Sequence, residues 1–594
     1  MSLVHSQFSD PNHIFAQAQR AFAQGDAADA IILLDQLPAE FSMDGNVLHF
    51  RALALKKIER FAEAEATFEQ ARIAAPRNPE VANNHANLLL QTGRVSDALS
   101  LYESAIAIKP DYMDACVNRA LALQTLGRLD EALKALDDLI AAGRTTPKVH
   151  SARGAILLSL DRHDEAARAF DASLTTGSST PTALHGRARV ALERGEADAV
   201  DRYMQVQAVL PHSPEILMGL AEALEADGNS DGVVLLTNAV APQPDWIVGL
   251  ERLARMQAEA GVADFTSHYA PALDAARDQR AVRLSLGKLL ADSDRPQHAL
   301  ETLEPLPADQ EIDMLRAFYF GELGKPEKGL ELLRKYIDRE DGNMLLIAGR
   351  LALATGDLTD AIKLLDRALV TTRDNMAVWA HCELAWRAAG DPRSQWLSGQ
   401  EGFVAARAID FDAAEIAELS DLLRSIHRTN AHPVGQSLRG GTQTRGRLFR
   451  RQEPLVRRLR DTLASTVGDY VHNLPPIDPD HPLLKHRDQG FAIAGSWSVR
   501  LCGEGFHVSH IHSEGLLSSA CYMSLPDAIS ASTSQEGWLE IGRPPPALNL
   551  DLNPIAAFEP APGKLVLFPS YFYHGTRPFG DGERLTVAFD VVPS

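Results

Sequence analysis

The chain has 594 residues, a formal net charge of −21 and four cysteines. This length allows more than one hydrophobic core, and the acidic balance disfavours general binding to nucleic acid or to anionic membranes. No apolar run is long enough to cross a bilayer, and residues 1–13 lack the basic and apolar regions of a signal peptide. The cysteines are scattered, which excludes a disulfide framework and a zinc ribbon. We therefore expect a multidomain, cytoplasmic protein with no membrane partner.

A glycine or its substitute recurs every 34 residues, at Gly93, Gly127, Asp161 and Gly195. Small residues lie at matching places around this position, as Ala86 does before Gly93. A glycine ends the first helix of a pair, and small residues let the two helices of the pair approach closely. The repeat predicts a long array of helical hairpins.

This pattern resembles the tetratricopeptide repeat, a helix–turn–helix unit. The resemblance implies an all-α solenoid over residues 10–395. Such arrays bind peptides or partner proteins on their concave face, so we expect a protein–protein interaction there.

Two helical segments are predicted after the repeats. Residues 396–431 are interpreted as a connecting helical segment, because an amphipathic pattern with an aspartate near its start runs over residues 411–426. Residues 439–460 then contain eight arginines and one acidic residue, Glu453. A nucleic-acid surface is one interpretation of these arginines. We prefer solvated charge on helices that flank the next domain, so nucleic acid is not an expected partner.

Four short β-compatible segments follow, each punctuated by glycine or proline; they span residues 497–501, 516–525, 563–570 and 584–592. Alternating or apolar segments of this length, without a helical period, are typical of a sandwich or barrel. The sequence therefore predicts a C-terminal all-β domain.

Histidines recur among these segments. His510 and His512 stand two positions apart on an extended segment, so their side chains point to the same side. His574 follows the third segment, and Arg584 opens the last, with Thr586 at the next position on the same face. Three imidazoles on one face of a metal leave its other positions open for oxygen chemistry, while an arginine fork and a hydroxyl suit a carboxylate. The pattern predicts an iron site beside a dicarboxylate site.

The motifs H-x-H, SSACYMSLP, GKLVLFPSYFYHGT and ERLTVAFDV together resemble the 2-oxoglutarate and Fe(II)-dependent oxygenase superfamily, over residues 432–594. The resemblance implies a double-stranded β-helix, or jelly-roll, domain with flanking helices. It also implies the activity of a 2-oxoglutarate-dependent dioxygenase, an oxidoreductase with Fe(II) as cofactor and 2-oxoglutarate as co-substrate. No catalytic residue beyond the metal ligands is implied.

Carried over to this chain, the resemblance makes His510 the first metal ligand and His574 the distal one. Arg584 is expected to hold the far carboxylate of 2-oxoglutarate, with Thr586 beside it. Tyr522, on the strand after the H-x-H motif, is expected to help hold the same carboxylate, although a packed core tyrosine is an equal alternative.

The second metal ligand departs from the superfamily pattern, which has a carboxylate there. This chain has His512 at that position, unless the motif is read as His512-Ser-Glu514, itself an H-x-E. We favour His512, because Glu514 and Gly515 are typical of a turn that leaves a strand. His507 is interpreted as structural, on the face opposite His510.

Two functions follow from these patterns. In the first, the protein is an oxygenase (a hydroxylase) whose solenoid recruits a protein or peptide substrate. In the second, it is a non-catalytic binding scaffold with a degenerate or structural metal-binding barrel. The joint presence of His574 and Arg584 favours the enzyme, and the unusual second ligand favours the scaffold.

Overall fold

The computed structural model describes residues 10–175, 180–530 and 534–594. The chain divides into two compact units, an N-terminal unit of residues 1–191 and a C-terminal unit of residues 192–594. Helical hairpins make up the described part of the N-terminal unit and the first half of the C-terminal unit. All strands found in the described residues belong to the C-terminal unit.

Tight left-handed turns separate the helices of the N-terminal unit. Gly93 and Gly127 have φ angles of +82° and +74°, and Asp161, the substitute for glycine in the sequence repeat, has a φ of +60°. These conformations end one helix and start the next, as the 34-residue spacing predicts. The helices are α1 (Pro11–Ala23), α2 (Ala27–Leu34), α3 (Ala39–Ser42), α4 (Gly45–Lys57), α5 (Phe61–Ala74), α6 (Pro79–Gln91), α7 (Val95–Ile108), α8 (Met113–Thr125), α9 (Leu129–Ala141), α10 (Pro147–Ser159), α11 (His163–Thr175) and α12 (Pro181–Arg194), within which the division falls.

Small residues at the helix contacts explain the close packing of this unit. Ala86, Ala98 and Ala120 are fully buried. The Phe170 ring fills the space above Gly154, where an added Cβ would lie 2.8 Å from the ring. Neighbouring helices can therefore pack closely because their facing side chains are small. Single aromatic rings fill the gaps that are left between the helices.

The C-terminal unit continues with hairpins and then adds helices around the sheets. Several of its repeat helices are shorter than those of the N-terminal unit. The helices are α13 (Ala199–Val209), α14 (Pro214–Ala226), α15 (Asp231–Val240), α16 (Ile247–Glu259), α17 (Tyr269–Ala275), α18 (Gln279–Ala291), α19 (Pro296–Leu303), α20 (Gln310–Glu322), α21 (Pro326–Leu333), α22 (Gly342–Thr355), α23 (Leu358–Thr371), α24 (Met376–Ala389), α25 (Arg393–Ser398), α26 (Ala413–Ile426), α27 (Pro454–His472) and α28 (Asp527–Ser530), with 3-10 turns at Leu448–Arg450, Leu484–His486 and Pro546–Leu548.

Two antiparallel sheets form the all-β part. The strands are β1 (Ala405–Ala408), β2 (Leu438–Gln443), β3 (Phe491–His507), β4 (Leu517–Ser524), β5 (Leu539–Ile541), β6 (Ala556–Phe558), β7 (Lys564–Pro569), β8 (His574–Thr576) and β9 (Glu583–Pro593). The larger sheet has the order β1-β7-β4-β9-β3-β2, and the smaller has the order β6-β5-β8. All four predicted strand segments lie in the larger sheet.

The segment predicted as a helical connection contributes a strand. α26 occupies its second half and starts with the predicted aspartate, Asp412, in a capping box with Glu415. Before it, β1 pairs with β7 as the edge strand of the larger sheet. This strand was not predicted, because the short run Ala405–Ala408 has no pattern of its own and becomes a strand only through its partner.

One hydrophobic core joins the last repeats to the sheets. It includes Trp379 and Trp386 of α24, Leu397 of α25 and the sheet residues Phe568 and Val587. The end of the helical array and the all-β domain are therefore packed as one body within the C-terminal unit.

The arginines of residues 439–460 are paired with carboxylates of the same unit. Arg445 contacts both Glu225 and Glu259, which belong to repeat helices. Arg450 pairs with Glu193 at 2.6 Å. These side chains attach the segment before β3 to the repeats instead of forming a free basic face.

The predicted fold class is confirmed as helical repeats followed by an all-β domain with flanking helices. The two antiparallel sheets stand where the jelly roll is expected. Among the described residues, none of the helices has both the length and the apolar character that a bilayer crossing would require.

Candidate metal centre

Three of the predicted site histidines meet where β3 and β8 approach each other. His510 follows β3, and its backbone forms an isolated antiparallel bridge with His574, the first residue of β8. The amide of each donates to the carbonyl of the other, at 3.0 and 2.9 Å. His574 thus begins a short strand. His512 lies two residues further along, and its amide contacts the carbonyl of Ser570 at 3.4 Å.

Each of these rings is oriented by a hydrogen bond at Nδ1. His510 Nδ1 lies 2.9 Å from the carbonyl oxygen of Val508, and His574 Nδ1 lies 3.0 Å from that of Phe572. His512 Nδ1 lies 2.5 Å from Asp590 Oδ1. Carbonyl and carboxylate oxygens can only accept, so Nδ1 carries the proton in all three rings. Each Nε2 consequently keeps a lone pair, which is the form that binds metal.

The Nε2 atoms converge. The potential ligand atoms of the three histidines all lie within 4.8 Å of one another, and the Nε2 atoms of His510 and His512 are 3.1 Å apart. Burial and the neighbouring His512 lower the pKa of His510 to about 3. Burial also lowers the pKa of His574 well below its usual value. His510 and His574 are therefore neutral at physiological pH, as ligation requires.

Glu514, the alternative second ligand, is exposed and lies outside this group of three. It is in the turn after His512, where the amide of Gly515 donates to the carbonyl of His512. The structure thus brings together the ligand set that the sequence analysis favours, whose role as ligands stays a prediction.

Arg584 is buried without the partner that a buried guanidinium needs. It stands on β9 opposite Leu501 and is only 2% exposed. In the described parts of the chain, its Nε and Nη1 atoms have no hydrogen-bond partner. Burial lowers its pKa. A cation in this state is costly, and such a group is typical of a binding site for an anion.

The side chains around Arg584 include the other two predicted co-substrate residues. The guanidinium lies over the Tyr522 ring, 5.1 Å from its centre. Tyr522 pairs with Thr586 across β4 and β9, and both are buried. The Tyr522 hydroxyl also lacks a hydrogen-bond partner among the described residues. The Arg584 guanidinium and the Tyr522 hydroxyl therefore lie together in the buried interior of the domain.

His507 and Ser437 belong to the same interior and were missed as site residues by the sequence analysis. Ser437 Oγ lies 3.1 Å from both His507 Nδ1 and His510 Nε2. Burial lowers the pKa of His507 well below its usual value, and the nearby His510 and Arg584 lower it further through their charges. His507 therefore lies within electrostatic reach of both the histidine group and Arg584, instead of on a remote face. A histidine three positions before an H-x-H motif was the available signal.

The segment before His574 is held by the end of the repeats. The Tyr573 hydroxyl lies 3.1 Å from His381 Nε2 on α24, and the Tyr571 hydroxyl donates to the carbonyl of Leu397 on α25, at 2.7 Å. His381 Nδ1 is 2.7 Å from the carbonyl of Ala377, so its Nε2 must accept the Tyr573 proton. The last repeat therefore helps to set the position of a candidate metal ligand.

Comparison with protein families gives matches in both parts of the chain. Residues 495–590 match the family described as "Putative 2OG-Fe(II) oxygenase". Residues 89–156 match one family described as "Tetratricopeptide repeat", and residues 51–112 and 315–375 match a second. The chain therefore has segments that match tetratricopeptide repeats and a C-terminal segment that matches the putative oxygenase family, as the sequence motifs predict.

Several solved structures resemble part of the chain. The human IFIT1 dimer with PPP-AAAA is 15% identical over 61% of this chain and 91% of its own, with a TM-score of 0.35. PilW, a widely conserved type IV pilus biogenesis factor, is 19% identical over 35% of this chain and 96% of its own, with a TM-score of 0.31. YrrB, a TPR protein with an unusual peptide-binding site, is 18% identical over 31% and 95%, with a TM-score of 0.25. A sequence comparison with curated proteins gives no match.

Proposed function

We propose that the C-terminal domain is an Fe(II)- and 2-oxoglutarate-dependent dioxygenase that hydroxylates a protein or peptide recruited by the repeats. The observation that carries this proposal is the buried guanidinium of Arg584, whose Nε and Nη1 atoms have no hydrogen-bond partner in the described part of the chain, near the interior that holds the three histidines. A structural metal site needs no such cation, whereas a dicarboxylate co-substrate does.

The histidine group suits a metal in distance and chemistry. Nitrogen ligands bind such metals at about 2.1 Å, so two of them at right angles lie about 3 Å apart. The separation of 3.1 Å between the Nε2 atoms of His510 and His512 agrees with this value. Three ligands on one side leave positions for a co-substrate and for oxygen. His510, His512 and His574 would hold the iron.

The interior around Arg584 suits the far carboxylate of 2-oxoglutarate. The guanidinium offers a fork of N–H donors, and neither Nε nor Nη1 has a hydrogen-bond partner among the residues that the structure describes. The Tyr522 hydroxyl and the Thr586 side chain, on the neighbouring strand and on β9, add polar contacts. A bound carboxylate would relieve the cost of the unpaired charge, so the same residues explain affinity and orientation.

The chain's residues bind, orient and shield the reactants. The backbone acceptors of Val508 and Phe572 keep the ligand lone pairs at Nε2. The Phe568 ring, 4.6 Å from that of His574, excludes water from one side of the centre. When bound, Fe(II) with O₂ and 2-oxoglutarate supplies the hydroxylation of a C–H bond, yielding succinate and CO₂ as by-products. Arg584 fixes the direction from which the keto acid reaches the metal.

The repeats suit the recruitment of a substrate. Tetratricopeptide arrays bind peptides or partner proteins, and the matches to two repeat families lie in both halves of the array. Because α24 and α25 contact the segment that carries His574, a substrate held by the last repeats would be close to the all-β domain.

Metal binding by matched variants tests this proposal. His574→Ala should abolish stoichiometric Fe(II) binding under anaerobic conditions, because one of three ligands is lost. Glu514→Ala is the matched control and should bind Fe(II) like the wild type. Loss of binding in both variants would make Glu514 the second ligand, as in the alternative register, and retention in His574→Ala would refute the metal centre.

Turnover separates the enzyme from the scaffold. Iron-loaded protein should release succinate from 2-oxoglutarate, and a cell extract that contains the substrate should increase this release. A protein that binds metal yet neither binds 2-oxoglutarate nor releases succinate would be a scaffold with a structural metal, and the proposal would be withdrawn.

A further inference from the structure

We propose that Asp590 supplies, through His512, the negative charge that a carboxylate ligand would otherwise bring to this metal centre. The inference rests on the proposed function, since it concerns the same site. The resemblance to the oxygenase superfamily implies a carboxylate ligand at position 512, and this chain has a histidine there. The structure assigns the missing charge to a residue 78 positions away in the sequence.

The three histidines differ in what accepts their Nδ1 protons. His510 and His574 donate to neutral backbone carbonyls at 2.9 and 3.0 Å. His512 donates to a carboxylate, Asp590 Oδ1, at 2.5 Å. Charge-assisted hydrogen bonds are shorter and stronger than neutral ones. Among the three histidines, only His512 therefore donates its Nδ1 proton to an anion, and His512 is the residue that replaces the expected carboxylate.

Asp590 is held in place to make this contact. It lies on β9, and its Oδ1 also accepts from Ser518 Oγ on β4, at 3.0 Å. Ser518 in turn contacts Ser570 Oγ at 2.9 Å. Gly515 leaves room for the pair, since a Cβ there would come within 2.8 Å of Ser570 Oγ and 3.3 Å of Asp590 Cβ. The carboxylate is thus oriented by its own sheet, and the close turn after His512 requires glycine.

The contact between His512 and Asp590 would change the net charge around a bound metal ion. A divalent ion on three neutral imidazoles keeps both positive charges, whereas a two-histidine, one-carboxylate site keeps one. A carboxylate that accepts the proton of a ligand imidazole makes the ring a stronger donor to the metal and adds a negative charge next to it. His512 and Asp590 together therefore act as the equivalent of an anionic ligand. Asp590 is a positioning residue, because it would not touch the metal.

Asp590→Asn tests this role with little change in shape. The amide oxygen can still accept from His512, but the charge is gone. We expect the affinity for Fe(II), measured anaerobically by calorimetry, to fall roughly ten- to a hundredfold. Ser518→Ala is the comparison variant: it removes the other contact of Asp590 but keeps the carboxylate charge, so the affinity for Fe(II) should fall less than in Asp590→Asn.

The Fe(III)/Fe(II) midpoint potential distinguishes charge from mere structure. Losing a negative charge near the iron favours the ferrous state, so the potential of iron-loaded Asp590→Asn should become more positive. An unchanged affinity would overturn the inference. So would a lowered affinity with an unchanged potential, because that result indicates only a loosened site. If Asp590→Asn folds poorly, Asp590→Glu provides the test, because it retains the negative charge. Iron-loaded Asp590→Glu should keep the midpoint potential of the wild type. A potential clearly more positive than that of the wild type would contradict the inference.

His574→Ala separates this inference from the proposed function. Loss of metal in His574→Ala together with unaltered binding and potential in Asp590→Asn would refute the role of Asp590 alone. Retention of metal in His574→Ala would refute the metal centre itself, and with it both proposals.

Discussion

Arg584→Met should stabilise the ligand-free protein and at the same time remove its affinity for 2-oxoglutarate. Arg584 is only 2% exposed, and two of its guanidinium nitrogens have no hydrogen-bond partner among the described residues. Burial lowers its pKa, which reflects the cost of keeping this charge out of water. Methionine has a similar length and no polar hydrogen-bond donors, so it fills the space without that cost.

The substitution Arg584→Met should raise the free energy of unfolding and lower the affinity for 2-oxoglutarate, and each effect has its own magnitude. Replacing buried ionic groups by apolar residues of similar volume is often stabilising by about 1–4 kcal/mol. Removing one partner of a desolvated charge pair costs about 2–5 kcal/mol of binding free energy, or on the order of thirty- to several-thousand-fold in affinity. A gain in stability with a loss of affinity is the signature of a residue kept for binding.

Calorimetry and thermal unfolding measure these effects. Titration of 2-oxoglutarate into Mn(II)-loaded protein avoids turnover, and unfolding of the metal-free protein gives the stability. Arg500→Met is the matched control, because Arg500 lies on the neighbouring strand β3 and is already paired with Glu583 at 2.5 Å. It should bind 2-oxoglutarate like the wild type and gain no stability.

Either of two results would refute the reasoning. Unchanged 2-oxoglutarate affinity in Arg584→Met would leave a metal-binding domain without this co-substrate anchor, and the scaffold function would then lead. A clear loss of stability would mean that the guanidinium is satisfied in the ligand-free protein, contrary to its unpaired nitrogens.

Two further predictions concern the contacts between the last repeats and the sheets. Tyr573→Phe removes the hydroxyl that donates to His381 Nε2, so it should lower the free energy of unfolding by about 0.5–1.5 kcal/mol. It should also weaken metal binding at the adjacent His574. Equal metal affinity of Tyr573→Phe and the wild type in titrations would contradict a link between the last repeat and the metal centre. Burial lowers the pKa of His481 from 6.5 to about 4, so the unfolded chain takes up a proton first as the pH falls. The free energy of unfolding therefore includes the whole contribution of neutral His481 above pH 6.5. This contribution, about 3 kcal/mol, is lost as the pH falls from 6.5 to about 4. Urea unfolding across this range should show a shallower loss in His481→Asn, and an unchanged slope would refute the assignment.

The repeat array and the main strands could be predicted from the sequence because their signals are local. The spacing of Gly93, Gly127 and Asp161 reports turns that each repeat makes by itself, and their left-handed φ angles follow from that spacing. The strand segments were recognisable from alternation and from glycine and proline at their ends. The histidine pair was recognisable for the same reason, since two positions on an extended segment share a face whatever the rest of the fold does.

The partners of these elements were decided only by the tertiary structure. Asp590 reaches His512 because β9 lies beside β4 in the larger sheet, an adjacency that neither strand encodes alone. Ala405–Ala408 becomes a strand only because β7 offers it an edge. The arginines before β3 were expected to be solvated charge, yet Arg445 pairs with Glu225 and Glu259 on repeat helices. Periodicity reports which side of an element is buried, whereas strand order and packing decide which charges meet.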